Sequence, residues 1–500
     1  MADDALGGIH LGFFSDALKD DEHSLGLVGV DGREELSRPF EIELALSSSG
    51  DPLSEEKLAA LVSAPCVIAL GTQKTDIIHG ALSTIEHVGT AKKLNHYRAT
   101  LVPFTSLLGL GRRSAIYQET TVPEMISTIL TSYGMAKGKD FQIHLANAGK
   151  SPKHEYIVQY QESDWDFVSR WLEHEGFFYY FSHTADGVGL HIADSNADAA
   201  PIEDPHSISY RDKSNLVTAG LSTVWSFHVR QRCVPANVTV VDYNHRRPLD
   251  MLISTKKVDE KGFGHVFSYG DHFKDKDVGA AWATIRAEEL GVDRRVVSGT
   301  TDCGRFRVGH TFELEGHPFA EYDGKYLITS IEHSAGFAVS DWSDDFDSAG
   351  AKPRGYRGVF TAIPFKVPFR PKRTTPWPRI NGLINGHIDS DTSGTYAEID
   401  DQGRYKVKLP FDVGTKKGLA SSRWIRMGQA YAGSGYGTHS PQHKGTEVLI
   451  SHIDGNPDRP IIVSAVPNAV TPGPVTSKNA TQSVTQTASG IRIEIEDKQG

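Results

Sequence analysis

Apolar residues along this chain recur mostly at alternate positions in short runs, the pattern of half-buried strands, and four segments break it with the three- and four-residue spacing of an amphipathic helix. The first is EEKLAALV, preceded by Ser54 as a capping oxygen and followed by a strand, PCVIALG. The second begins at Val122-Pro123, with proline in the first turn, runs through EMISTILTSY and stops at Gly134; FQIHLA after it reads as a strand. The third, in HEYIVQYQESDWDFVSRWLEHEGFFYYF, is bracketed by strands, with a Ser163 cap, an acidic first turn and Gly176 as the stop. On it Trp165, Val168 and Leu172 share a face beside Phe167 and Trp171, and aromatics at this spacing are read as core before subunit contact. The fourth, DKDVGAAWATIRAEELG, is expected to close at Gly291, and FRVGHTFELEGHP and GKYLITSIEH then form two strands joined by a turn. Residues 1–363 are therefore expected to be mainly β with a few helices.

The pattern changes at residues 364–378, where PFKVPFRPKRTTPWP holds five prolines that cannot donate ladder bonds and favour an extended connector. Over residues 379–468, short strands such as RYKVKL, SRWIRMG, TEVLIS and RPIIVSAV alternate with glycine turns in the number a five-stranded barrel needs. Tyr405, Val407 and Leu409 face one way and three cations the other, and Trp424 is expected in the barrel core with Val407. Residues 469–490 read as a polar spacer, with eight serines or threonines between 471 and 489. The final segment, residues 491–500, alternates Ile491, Ile493 and Ile495 with Arg492, Glu494 and Glu496, a strand with one dry and one charged face and no obvious partner.

At 500 residues the chain exceeds what one core serves, so two or more domains follow. A formal charge of −11 argues against a protein that coats nucleic acid or anionic membrane, and the barrel segment itself has ten Lys or Arg against nine Asp or Glu, a net of +1. Cys66, Cys233 and Cys303 are too far apart for a zinc site or a disulfide framework. The opening MADDALGGIHLGFF carries acids where a secretory leader has cations, and no apolar run is long enough to span a bilayer.

Candidate chemistry is thin. HExxH, GxSxG and Walker patterns are absent; Gly109-Leu110-Gly111 lacks the third glycine of a dinucleotide loop and reads as a turn; His174-Glu175 suits a helix end better than a catalytic dyad. Asp389, Asp391, Ser393, Gly394 and Asp400 occupy positions of a calcium loop, but the last ligand is not glutamate and the flanks look extended, so a hairpin turn is preferred. Arg404 is placed to pair with Asp412, and Arg459 to pin a strand entry. No catalytic, cofactor-binding or metal residue is assigned, and no cofactor is expected.

Taken in order, QYQESDWDFVSRWLEHEGFFYYF, HTFELEGHP with YLITSIEH, DDQGRYKVKLPFD, and GTEVLISHIDGNPDRPIIVSAVPN followed by IEIEDKQG resemble the VgrG spikes of type VI secretion, which are similar to the hub and spike of contractile phage tails. Phe411 departs from the tryptophan frequent in that family. The resemblance implies a homotrimer: β-barrel hub domains, an OB-type barrel, then the start of a trimeric β-prism needle at residues 491–500. It further implies a non-enzymatic structural subunit that is cytoplasmic during assembly and then secreted or translocated into target cells. The implied partners are a tube protein of the haemolysin-coregulated type at the hub end and, with a full needle, a PAAR-type tip protein and effectors, without nucleic acid or stable membrane insertion. The alternative is a spike with a fused effector enzyme beyond residue 500.

Overall fold

The computed structural model describes residues 10–18, 24–71, 76–146, 151–184, 187–211, 222–339, 354–390, 393–413 and 422–498. Two compact units emerge. One comprises Met1–Gly111, Thr121–Lys153 and Ser163–Thr375; the other comprises Arg112–Thr120, His154–Glu162 and Pro376–Gly500.

Within the first unit, six strands form a closed ring: Gly324–Gly336, Thr311–Glu315, Ser207–Tyr210, Thr223–Gln231, Arg295–Thr301 and Arg354–Pro364, the last pairing back onto the first. Closure leaves no free edge inside the ring. Its interior is aromatic: Phe306 packs at 4.8 Å from Phe312 and 5.1 Å from Phe360, with Tyr326 beyond Phe312. From Gly324–Gly336 the sheet also continues outward through Gly26–Glu35, Glu41–Ser49, Leu94–Val102, Ile77–Ala91, Pro65–Gly71 and His10–Ser15. There the alternation is direct, with Ile42, Leu44 and Leu46 all buried on one face of their strand.

Five helices lie among the described residues of this unit: α1 Glu55–Leu61, α2 Phe104–Leu107, α3 Val122–Ser132, α4 Asp164–Glu175 and α5 Lys276–Gly291. Four are the expected ones. Ser54 caps α1 by accepting from the Lys57 N–H; Thr121 and Glu124 form a capping box on α3; Ser163 caps α4. At the end of α4, Gly176 sits at φ 74°, the left-handed position only glycine adopts without strain. α5 ends at Gly291 as expected, but without a left-handed cap. The glycine's φ is −79° and the chain runs on into a 3₁₀ turn at Val292–Arg294. The short α2 escaped the sequence reading because four residues are too few to show a period; Gly109 follows it in a turn, its N–H on the Ser106 carbonyl.

α4 is buried on nearly every side, including Arg170, Glu173, His174 and Glu175, with Trp165 and Trp171 in the core. Its last two carboxylates are matched from elsewhere in the unit. Glu173 accepts from the Thr374 and Thr375 N–H groups at 2.9 Å, and Glu175 accepts from the Ser151 hydroxyl at 2.6 Å. The carbonyls at the end of α4 are taken by arginines: Arg286 of α5 donates to Glu173 and His174, and Arg370 donates to Gly176 at 3.0 Å. His174, read above as a charge at this terminus, packs instead among Trp171, His272 and Trp282.

The proline-rich run is extended, but up to Thr375 it is tied down on the first unit. Asn196 donates to the Phe365 and Val367 carbonyls and accepts from the Phe369 N–H, and Arg370 pairs with Glu288.

The second unit holds a five-stranded sheet in the order Ser422–Ile425, Tyr405–Lys408, Ile384–Asp389, Glu447–His452, Pro460–Ala465. It rolls up: just past the first edge strand, Met427 bridges to Ile462 on the last, and the Gly428 N–H reaches the Ile462 carbonyl at 2.8 Å. Tyr405, Val407 and Leu409 face inward as expected. The core is shared with a hairpin from far upstream, Arg113–Thr120 with His154–Glu162, which contributes Ile116, Tyr156 and Val158. Phe411 packs edge-on against Tyr160 of that hairpin at 5.2 Å.

Trp424 corrects an expectation. It pairs with Lys406 across the outer face, where the Lys406 ammonium lies 4.9 Å from its ring, while Ile425 and Arg423 turn inward. A cation beside an indole on the outside and a cation under the barrel wall invert what hydrophobicity alone suggests.

Candidate assembly site

At the C-terminal end of the second unit, the isoleucine strand has a partner after all. Arg492–Glu496 pairs antiparallel with Gln482–Gln486, inside the stretch read as a spacer, through a turn closed by the Thr487 N–H on the Ile491 carbonyl and by Gly490 at φ 95°. The serine- and threonine-rich composition hid this strand, because polar residues on both faces leave no period-two signal.

The two faces of the hairpin differ in how well they are satisfied. On one, Gln482 donates to Glu494 at 2.6 Å, and Arg492 donates to Glu494 at 2.8 Å and to Gln486 at 3.0 Å. On the other, Ile495 stands opposite Ser483 and Ile493 opposite Thr485, and Ile491, Ile493 and Ile495 remain 67, 63 and 62% exposed. Burying such a side chain is worth about 1.5–3 kcal/mol, and a two-stranded hairpin is at best marginal alone, so this face is built for coverage.

A second apolar face lies in the first unit. The strands Asn237–Asp242, Leu252–Lys257 and His265–Tyr269 form a small sheet backed by α5, whose Trp282 and Ala283 pack on Val240 and Leu252. On the other face Val241 lies opposite Ile253 and Tyr269, and Thr239 opposite Thr255 and Phe267. Ile253, Phe267 and Tyr269 are exposed. The sequence reading left this sheet out.

Elsewhere the first unit buries a polar network. His333 Nε2–H donates to Glu34 at 2.8 Å, its Nδ1 accepts from the Tyr356 hydroxyl at 2.7 Å, and Arg307 Nε lies 3.7 Å from the same carboxylate. Burial alone raises the Glu34 pKa, but the His333 hydrogen bond and the Arg307 charge outweigh it and bring it down to about 2. The three groups satisfy one another, which suits a structural lock across the Gly26–Glu35 and Gly324–Gly336 strands.

Of the calcium-loop positions, Asp391 lies outside the described residues. Asp389 accepts from the Ser390 N–H, and Asp400 is engaged by Arg404 Nε and Nη2 at 2.7 and 2.6 Å and by the Gln402 and Arg404 amides. Burial nudges the Asp400 pKa up, but the Arg404 hydrogen bonds outweigh it and hold the carboxyl below its ordinary value. Arg404 thus pairs with Asp400. The Arg459 backbone closes the turn before the last barrel strand, its N–H on the Asn456 carbonyl and its carbonyl taking the Ile453 N–H. Among the described residues no group of three or more His, Cys, Asp or Glu is arranged to hold a metal, and no helix is long and apolar enough to cross a membrane.

Two family models match the chain: phage tail baseplate hub (GPD) over residues 33–338 and type VI secretion system/phage-baseplate injector OB domain over residues 393–466. A type VI secretion system spike protein, VgrG4b of Pseudomonas aeruginosa, is 29% identical over 503 residues, 97% of this chain and 61% of that protein. The actin cross-linking toxin VgrG1 of Vibrio cholerae is 26% identical over 471 residues, 91% of this chain and 42% of that protein. Among solved structures, the E. coli c3393 protein, described as a type VI secretion component similar to the phage T4 tail proteins gp27 and gp5, superposes with a TM-score of 0.64. It is 24% identical, and the match covers 91% of this chain and 99% of that one. The chain spans less than two thirds of the length of the first of these relatives.

Proposed function

The chain belongs to the phage tail baseplate hub family, and from that premise and its similarity to type VI secretion VgrG spikes we propose that it is a structural spike subunit of a contractile injection machine. The observation that carries this reading is order: a hub match, then an injector OB match, then a hairpin that presents three exposed isoleucines at the end of the chain. In this reading three copies assemble about one axis, and each isoleucine row is covered by the rows of the other two. The hub then occupies residues 1–363 apart from the hairpin Arg113–Thr120 with His154–Glu162, which joins the barrel, with a connector to 378, the barrel at residues 379–468, a spacer after it, and the needle beginning in the hairpin that carries residues 491–500. The work is mechanical and needs no catalytic group.

The proposed partners are the tube protein at the hub end and, beyond a completed needle, a tip protein and effectors. The protein is proposed to assemble in the cytoplasm and to leave with the fired machine. Sedimentation or light scattering of the purified chain and of a version extended into the needle tests the central point. A threefold mass for either supports the spike; a stable monomer for both overturns it.

A further inference from the structure

The strand-to-strand turn ahead of Thr311–Glu315 brings two arginines, Arg305 and Arg307, into one small cavity of the first unit. Both are about nine-tenths buried, at 9 and 8% exposure. The cavity measures about 140 Å³ and is lined also by Ser182, His183, His310 and Glu203. Arg307 donates to the Gly304 and Phe306 carbonyls and has Glu34 at 3.7 Å as a partial counter-charge, which Glu34 also shares with His333. Arg305 has less. One N–H group reaches the Asp204 carbonyl, and among the described residues no carboxylate lies within ion-pair distance of it. Arg307 thus has an already-shared carboxylate beside it and Arg305 a backbone carbonyl, while the Glu203 carboxylate on the rim belongs to an exposed residue.

Taking a cation out of water costs several kcal/mol unless a counter-ion or a full set of acceptors replaces the solvent, and a neutral carbonyl is a poor substitute. The forked donors of arginine match an oxyanion. Size narrows the class: about 140 Å³ is room for a handful of waters at about 30 Å³ each, enough for a tetrahedral oxyanion and too little for a nucleotide, whose pockets start at about 300 Å³. We propose that this cavity is a binding site for a small oxyanion of phosphate size, held by Arg305 and Arg307, with Glu203 at the rim setting how weakly it is held. The proposal does not depend on the spike reading.

The test is thermal unfolding of the full chain titrated with inorganic phosphate, against sodium chloride at matched ionic strength. Saturable stabilisation by phosphate beyond chloride is expected. Arg305→Gln should weaken the apparent affinity by about tenfold or more, as losing a charged hydrogen-bonding partner does. Glu203→Gln, on an exposed residue whose change leaves the core alone, should tighten it several-fold. Phosphate acting no differently from chloride on the parent, or an affinity unchanged by Arg305→Gln, overturns the proposal. Should Arg305→Gln fail to fold, Glu203→Gln decides alone, and an unchanged affinity in that variant is equally fatal.

Discussion

Arg423 stands directly opposite Val407 on the inward face of the barrel wall, with its guanidinium 4.0 Å above the Tyr156 ring and Nη1 donating to the Asp458 carbonyl at 2.8 Å. Burial lowers its pKa, while Tyr156 and Asp458 support the charge. Its neighbour Trp424 is the better hydrophobe and yet faces out, because one step along a strand reverses the face. Trp424→Ala should therefore cost only about 0.5–1 kcal/mol, the worth of its contact with Lys406, whereas Ile425→Ala should cost about 2–5 kcal/mol by opening the core. Urea unfolding of the two variants gives the ranking, and the reverse order would mean the face assignment is mistaken. The buried histidines make a separate prediction. Burial, foremost, lowers the pKa of His183 to about 3 and of His191 to about 4, each from 6.5. As pH falls below 6.5, the unfolded chain takes up protons that the folded one refuses, so stability declines toward pH 4. Glu34 adds a second window: its depressed carboxyl favours the folded state above pH 4.5, and that contribution disappears as pH falls toward 2. Urea midpoints should drop between pH 7 and 5, and His191→Gln should reduce the drop.

Among the elements, α4 and the C-terminal hairpin show opposite economies of burial. α4 is enclosed, so its last carbonyls depend on Arg286, itself buried and ion-paired with Glu289. Arg286→Ala leaves those carbonyls and Glu289 without this donor and should cost about 3–5 kcal/mol, measured by denaturant unfolding with tryptophan fluorescence. The caps of α4 were readable because Ser163 and Gly176 act within one turn; Arg286 was not, since it reaches the helix end across more than a hundred residues of chain. The hairpin needs no such help on its charged face and lacks cover on the other. Replacing Ile491, Ile493 and Ile495 with serine should weaken the proposed trimer while leaving the hub folded. Sedimentation at several concentrations, with circular dichroism as the check on the hub, reads both effects; assembly as tight as the parent's would assign the trimer contacts to other surfaces.

For the whole molecule, the order of parts was legible and their composition was not. Local chemistry determined the strands whose residues alternate clearly, four of the five helices, the caps at Ser54, Ser163 and Gly176, the alternation that puts Tyr405, Val407 and Leu409 inside, and the dry row of isoleucines, because each depends on neighbours within a turn or a pleat. Tertiary structure alone decided that Arg113–Thr120 and His154–Glu162 join the core of a barrel whose strands begin more than two hundred residues later, and that Arg354–Pro364 returns to Gly324–Gly336 to close the hub ring. It also decided that Arg305 and Arg307 meet in one cavity. Pairings such as that of the upstream hairpin with the barrel are fixed by which surfaces complement each other after the chain has turned back on itself, and no short window of sequence contains both partners. Strand character is a local property of alternating residues; the identity of a strand's neighbour is set by burial shared across the whole fold.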